Sequence, residues 1–293
     1  MVRTPRSPAF VPRLEILATA VLFSTGGTAI KATSLGAWQV SCFRSALAAL
    51  ALVLWLPSAR QFWHPRAVLV GSAYAATMVL FVTGNKLTTA ANAIFLQSTA
   101  SLYLLLLGPL ALREPLRRSD GAHALVLAVG LALFFIGHEP ALATAPDPQR
   151  GNIIAAVGGV FWSLTIFGLR WLGREPRAGS PPAMAAVVAG NLLAAAACLP
   201  AALPVSSASA ADWLVVAHLG LLQVALAYVF MTRAVQRLAA LEVSLLLLIE
   251  PVLSALWAWI VHDEQPGAWS LTGSAIILAT TLVHVLTVRP RSS

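Results

Sequence analysis

Long apolar runs follow one another along almost the whole chain, and the connections between them are too short to form a soluble domain. Each run approaches the ~20 residues that an α-helix needs to cross a bilayer. The ten runs lie at 14–32, 37–56, 66–84, 89–109, 119–137, 151–171, 182–203, 211–231, 240–260 and 267–287. This pattern predicts an all-α membrane protein with ten transmembrane helices.

The composition agrees with a membrane location. Hydrophobic residues make up 58% of the chain and charged residues only 10%, whereas about a quarter of the residues in a soluble domain are charged. A soluble protein this apolar would lack the polar side chains to cover its surface. Lipid removes that requirement because it solvates apolar side chains.

The basic residues predict the orientation of the chain. Of the 19 Lys and Arg residues, 15 fall in alternate connections that include the N-terminal segment, three (Lys31, Lys86 and Arg150) fall in the other connections, and Arg44 lies inside a run. Because Lys and Arg concentrate on the cytoplasmic side of membrane proteins, both termini are expected in the cytoplasm. The same placement explains the net charge of +8 without nucleic-acid binding, since no basic face is interleaved with aromatic residues.

The two halves of the chain resemble each other. The stretch that starts at Thr89 and the stretch that starts at Ala239 each end in an acidic residue with a proline one or two positions further on, so that Glu114 and Glu264 correspond at an offset of 150 residues. Each half, 14–137 and 151–288, holds five runs, and an odd number inverts the second copy in the membrane. Inverted repeats are a transporter architecture, with the substrate site near the midplane between the repeats.

Several of these features together resemble a known family. They are Lys31 at the end of the first run, Arg44 within the second, Leu-Arg-Glu-Pro at 112–115, and Pro251 followed by His-Asp-Glu at 262–264. With them, the whole chain resembles the drug/metabolite transporter superfamily in its ten-helix EamA form, most closely the YddG-type exporters of aromatic amino acids. The chain departs from the family pattern at Phe23-Ser24-Thr25, where the family often has Trp-Gly, and at Ser101, which stands where the second half has Pro251.

The resemblance implies a secondary transporter in a bacterial inner membrane, not an enzyme. It would export amino acids, aromatic ones together with other neutral or amphipathic metabolites, by alternating access. Two alternatives stay open, a drug or nucleotide-sugar transporter of the same superfamily and a non-transporting membrane scaffold. Expected partners are the bilayer and a small-molecule substrate, and the expected oligomeric state is a monomer.

Ionisable residues at membrane depth are costly and usually functional. Arg44 lies about 10 Å into the second run from one side, and Glu250 about 15 Å into the ninth from the other, at 1.5 Å per residue. An ion pair between them is therefore possible, as a gate or a site for a substrate carboxylate. The alternatives are a structural ion pair, or an Arg44 that donates hydrogen bonds to backbone carbonyls. Glu242 or Glu250 is a candidate for proton coupling, and Lys31 is a candidate gating residue at the rim.

Aromatic and polar residues in the middle of the runs are candidates for a substrate pocket, since such sites combine apolar walls with a few polar groups. Trp162 and Gln97 are the preferred pair because they come from different halves. The further candidates are Tyr74, Met78, Tyr103, Asn191, Tyr228 and Ser244. The alternative for each is helix packing or an interhelical hydrogen bond. The chain has no phosphate-binding glycine-rich loop and no His/Cys/Asp cluster with metal-ligand spacing, so neither a cofactor nor a metal is expected.

Overall fold

The architecture is helical throughout the residues that the structure describes. A computed structural model describes residues 10–100, 102–103, 118–136, 140–174, 182–235, 237–238, 243 and 246–287. No strand occurs among these residues. Six of the helices are long and apolar enough to cross a membrane, and Gly121–Ile136, Ile249–His262 and Ala268–Val283 are shorter apolar helical stretches.

The helices follow the predicted apolar runs closely. In chain order they are α1 (Phe10–Lys31), α2 (Ala37–Trp55), α3 (Pro65–Leu87), α4 (Ala90–Ser98), α5 (Arg118–Ile136), α6 (Pro148–Arg174), α7 (Ala183–Ala202), α8 (Ala210–Ala217, His218–Leu226 and Ala227–Val235 in succession), α9 (Ile249–His262) and α10 (Ala268–Thr287). The middle segment of α8 is π-helical. The second half of the predicted run 89–109 and the start of the run 240–260 lie largely outside the described residues.

Local sequence explains where several helices begin. Thr89 caps α4, since its hydroxyl accepts a hydrogen bond from the backbone N–H of Asn92 at 3.2 Å. Ser209 and Asp212 form a capping box at the start of α8, each side chain accepting from the other residue's backbone N–H. Pro65 occupies the first turn of α3, where the missing N–H costs no intrahelical hydrogen bond.

Helices whose numbers differ by five, one from each half, have corresponding packing partners. Helix α3 packs on α6 and α7, and correspondingly α8 packs on α1 and α2. Helix α4 packs on α6 as α9 packs on α1, while the pairs α2–α7 and α5–α10 correspond to themselves. The two halves therefore occupy equivalent places in the bundle.

Contacts between helix ends show the relative directions of the two halves. The backbone N–H of Asp147, next to the start of α6, donates to the carbonyl of Leu87 at the end of α3 at 3.1 Å. Ser34, just after α1, donates to Asp212 in the first turn of α8. Helices α1 and α3 thus end at the face where α6 and α8 begin, so the first and third helices of the two halves run in opposite directions. This end of the bundle is called the Lys31 face below.

Small residues allow the closest helix contacts. A Cβ atom added at Gly71 in α3 would lie 2.8 Å from the backbone nitrogen of Gly190 in α7, and one at Gly190 would lie 2.6 Å from the carbonyl oxygen of Gly71. Gly273 in α10 approaches Gly130 in α5 in the same way. Membrane helices gain packing energy when such residues let their backbones meet.

Large apolar side chains cover the outside of the bundle. Leu69 is 65% exposed, Leu214 72% and Trp259 55%. Polar residues such as Arg44 and Asn191 are instead fully buried inside. This inversion of the usual soluble pattern suits a surface that is solvated by lipid.

Candidate functional site

A cavity of about 310 Å³ lies between the two halves of the bundle. Residues from α1, α2, α3, α4, α6, α8, α9 and α10 line it. Its polar groups include Arg44, Gln223 and Glu250, and its aromatic rings include Phe23 and Trp162. Its volume falls at the lower end of the range of about 300–1,000 Å³ for small-molecule sites, which are likewise mostly apolar with a few polar groups.

Arg44 brings a buried cation to the cavity wall. Its Nη2 donates to the carbonyl oxygen of Met78 at 3.2 Å and contacts the Met78 sulfur at 3.4 Å. The side chain is fully buried, and Nε and Nη1 have no hydrogen-bond partner in the part of the chain that the structure describes. A buried guanidinium is stabilised when its remaining N–H groups are satisfied, so this arrangement favours an anionic group of a ligand.

Glu250 brings a carboxylate to the same cavity, next to Pro251 in the first turn of α9. No ion pair joins it to Arg44 among the described residues; the ion pair that the structure shows there links Lys31 and Glu264. The Arg44–Glu250 pair considered from the sequence is therefore not formed. Arg44 takes the alternative, a hydrogen bond to a backbone carbonyl, because Met78 on the adjacent α3 lies closer.

Aromatic rings support one side of the cavity. Tyr228 lines it and packs edge-on against Phe23, with ring centroids 5.4 Å apart, and against Tyr74 at 5.6 Å. Tyr74 is not among the lining residues, and its hydroxyl accepts a hydrogen bond from Asn191 Nδ2 at 3.2 Å. The contacts with Phe23 and Tyr74, the latter bonded to Asn191, thus support the ring of Tyr228 at the cavity wall.

Lys31 lies far from the cavity, in a buried ion pair at the Lys31 face. Its Nζ is 2.9 Å from Oε1 of Glu264, and each side chain is only 1% exposed. Lys31 also donates to the carbonyl oxygens of Thr88 and Thr144, and the other Glu264 oxygen accepts from the backbone N–H of Ala90 at 2.8 Å. One ion pair therefore ties the ends of α1 and α9 to the start of α4.

Two further charged groups close the same face. Asp212 accepts hydrogen bonds from the Thr33 hydroxyl and the Ser34 backbone N–H, both at 2.7 Å. Lys86 Nζ donates to the carbonyl of Thr33 at 2.7 Å. The name Lys31 network is used below for the five residues Lys31, Thr33, Lys86, Asp212 and Glu264. Glu250 lies twelve residues before His262 at the end of α9, about 18 Å at 1.5 Å per residue, so the network and the cavity occupy different depths.

The structure brings part of the predicted site together. The predicted residues that line the cavity are Arg44, Met78, Gln97, Trp162, Tyr228 and Glu250. Tyr74 and Asn191 pair with each other outside the lining, Tyr103 is half-buried and does not line the cavity, and Lys31 belongs to the Lys31 network. Ser244 and Glu242 lie outside the described residues.

Sequence reasoning missed several residues of the site. The pairing of Glu264 with Lys31 was open to prediction, since the alternation of spans places both on the same side of the membrane. Phe23 was noted only as a departure from the family pattern, and Ile277 and Thr281 of α10, which also line the cavity, carry no sequence signal. Within the described residues, no group of three His, Cys, Asp or Glu side chains is arranged to hold a metal ion.

The fold and the site define an all-helical, multi-pass membrane protein with a central cavity between two equivalent halves. The EamA-like transporter family matches residues 14–136 and 149–286. The chain belongs to this family of the drug/metabolite transporter superfamily, and its members are transporters rather than enzymes.

Two further comparisons bear on the fold and on close relatives. A solved structure described as "Crystal structure of protein" is similar over 97% of this chain and 99% of its own, with a TM-score of 0.63 and 21% sequence identity. At that identity the likeness concerns the fold alone. A comparison with curated proteins gives no match.

Proposed function

We propose that this protein exports amino acids with apolar, above all aromatic, side chains across a bacterial inner membrane by alternating access. Ten transmembrane helices, in two inverted repeats at 14–137 and 151–288 with cytoplasmic termini, would form the transporter. The observation that carries the proposal is the cavity in which Arg44 and Glu250 stand without pairing with each other.

The two charges suit the two ends of a zwitterion. The unpartnered Nε and Nη1 of Arg44 would donate to a substrate carboxylate, because guanidinium groups bind carboxylates through parallel hydrogen bonds. Glu250 would attract the ammonium group. A zwitterion that contacts both groups compensates both charges at once, whereas a solute without charged groups compensates neither.

The walls of the cavity suit an apolar side chain. Phe23, Phe81, Trp162 and Tyr228 present aromatic surface to it. Aromatic pairs contribute about 0.5–1.5 kcal/mol beyond the area that they bury. Nucleotide sugars fit this cavity poorly, since Arg44 is the one basic side chain among the described lining residues and a diphosphate would require several.

The Lys31 network supports alternating access. The distribution of Lys and Arg residues along the sequence predicts that this network lies on the outer side of the membrane. In the structure it joins α1, α4, α8 and α9 at that face. We infer that this is the closed outer gate, and that the substrate enters the cavity from the cytoplasmic side. Glu250 is the candidate proton carrier if export is proton-coupled.

Counterflow in liposomes tests the proposal. The purified full-length protein would be reconstituted, and uptake of labelled phenylalanine, leucine and glutamate would be measured with and without a pH gradient. Phenylalanine is expected to exchange fastest. The variants Arg44→Gln and Glu250→Gln are each expected to lower its rate at least about tenfold, since each loses a hydrogen bond to a charged group. Accumulation driven by the pH gradient would identify proton antiport.

The control variant is Trp259→Leu, which changes a lipid-facing residue of α9 that is 55% exposed. It is expected to leave the rate unchanged, while Trp162→Leu in the cavity is expected to lower it. No flux of any amino acid in folded wild-type protein would overturn the proposal. Flux of organic cations in its place would favour the drug-transporter alternative.

A further inference from the structure

Gln223 in α8 is a further polar group at the cavity wall. It lies in the π-helical segment His218–Leu226 and lines the cavity together with Arg44 and Glu250. Its side chain is only 7% exposed, and its Oε1 accepts no hydrogen bond from the described residues. A buried amide oxygen without a donor is unfavourable, so this oxygen is available for a donor on the ligand.

Helix α1 packs directly against this amide. A Cβ atom at Gly26 of α1 would lie 2.9 Å from Nε2 of Gln223, so the glycine lets the end of the side chain approach the α1 backbone closely. The His218 Nε2 and the Thr25 hydroxyl, 2.9 Å apart, join the same two helices at the start of the π-helical segment. Such segments occur frequently at functional sites because the wider turn redirects side chains.

The same segment is also fixed against α2. A Cβ atom at Gly220 would lie 2.8 Å from the carbonyl oxygen of Arg44, so α8 approaches the backbone that carries the guanidinium. Gln223 follows Gly220 by three residues in the same π-helical segment. The amide and the guanidinium are therefore carried by two helix segments that pack closely against each other at the cavity wall.

We propose that Gln223 is a specificity-determining residue that accepts a hydrogen bond from an ammonium N–H of the transported amino acid. It thereby selects a primary ammonium group over the quaternary ammonium of the corresponding betaine. The physical reason is that an uncharged amide oxygen favours an N–H donor and gains little from a methylated nitrogen. Glu250, in contrast, attracts either cation. This inference rests on the proposed function and goes further by assigning the chemistry of the selected group.

The test compares labelled L-phenylalanine with labelled N,N,N-trimethyl-L-phenylalanine in counterflow by the reconstituted full-length protein. Wild-type protein is expected to prefer phenylalanine. Gln223→Met keeps the length of the side chain and removes the acceptor. It is expected to lower phenylalanine transport about tenfold, the effect of one hydrogen bond to a charged group, and to change betaine transport no more than about twofold. Glu250→Gln is expected to slow both.

Two variants control for a general disturbance of α8. Gln223→Glu retains an acceptor oxygen and is expected to retain the preference for phenylalanine. Leu222→Ala changes the adjacent residue, which is 41% exposed on the lipid side, and is expected to leave the ratio of the two rates unchanged. Should Gln223→Met fail to fold, Gln223→Asn withdraws the amide by one methylene and is expected to weaken the preference.

The possible failures are distinguishable. If wild-type protein moves neither compound, both the proposed function and the role of Gln223 are overturned. If it moves phenylalanine and betaine equally, or if folded Gln223→Met (or Gln223→Asn in its place) keeps the wild-type ratio, the role of Gln223 alone is overturned and amino-acid transport stands.

Discussion

Replacing Glu264 by glutamine should open the Lys31 face. The substitution keeps the size of the side chain but leaves Lys31 as a buried cation without its carboxylate, from which Nζ is 2.9 Å away in the native pair. The two carbonyl oxygens of Thr88 and Thr144 remain as acceptors. They carry no net charge, so they compensate the ammonium only in part.

The size of the effect follows from the burial of the pair. Both side chains are 1% exposed, and removing one partner of a buried ion pair typically costs about 3–5 kcal/mol. In an open conformation Lys31 is hydrated, so this cost falls on the closed state. Since 1.4 kcal/mol is a factor of ten, the ratio of closed to open protein should fall on the order of a hundredfold or more.

Cysteine accessibility measures this shift. A reporter, Ile94→Cys, is placed in the cavity in a background where the buried Cys42 and Cys198 are replaced by alanine. A membrane-impermeant maleimide is then added from outside. Labelling is expected to be slow with Glu264 intact and at least about tenfold faster in Glu264→Gln, as the population of the open state rises.

The adjacent residue provides a matched control. Asp263 is exposed and has a φ of 54°, a left-handed conformation that asparagine also tolerates, so Asp263→Asn removes a carboxylate without breaking the ion pair. Equal labelling rates in Asp263→Asn and Glu264→Gln would refute the gate. So would fast labelling that is accompanied by loss of the peak of folded protein in size-exclusion chromatography, because it would report unfolding.

Two further changes should alter stability without entering the cavity, and thermal unfolding in detergent measures both. Gly71→Val should lower the melting temperature strongly, because even a Cβ there would lie 2.8 Å from the backbone of Gly190. The control Leu69→Ala changes a 65% exposed position and should have little effect. Equal effects of the two variants would argue against the α3–α7 contact. Asp212→Ala should also lower the melting temperature, since it removes a charged acceptor of several hydrogen bonds. An unchanged melting temperature would show that the Lys31 network contributes little at this position.

Much of the helical framework was predictable because the bilayer imposes a length and a composition on each segment. The run predicted at 37–56 is the helix Ala37–Trp55, and the run at 182–203 is Ala183–Ala202. Turn-forming residues at the ends of these two runs interrupt the apolar pattern and thereby mark where the helices begin and end. The π-helical segment of α8 was not predictable, because a continuous apolar run such as 211–231 has no periodicity that separates one helical form from another.

The site was predictable only as a set of residue types at membrane depth. Arg44 and Glu250 were selected because charged groups are rare there, and both line the cavity. Their partners depend on helix rotation, which the sequence does not specify. Met78, expected to contact substrate, lines the cavity and also accepts a hydrogen bond from Arg44 through its backbone carbonyl, and an apolar residue's carbonyl gives no sequence signal. Asn191 donates a hydrogen bond to the hydroxyl of Tyr74, a contact between residues that are 117 positions apart in the chain.

Helix α1 connects the cavity to the Lys31 network. Phe23 lines the cavity, and two polar contacts toward α9 follow it, from Trp257 Nε1 to the Ser24 hydroxyl at 3.0 Å and between His262 and the Thr28 carbonyl at 2.9 Å. The Lys31–Glu264 pair continues the same seam. Because successive turns of α1 are bonded to α9, a movement of α1 at the cavity is expected to reach the Lys31–Glu264 pair along this seam. In the proposed mechanism, a substrate that displaces Phe23 would therefore act on the outer gate through α1, and the Lys31–Glu264 pair would separate when that gate opens.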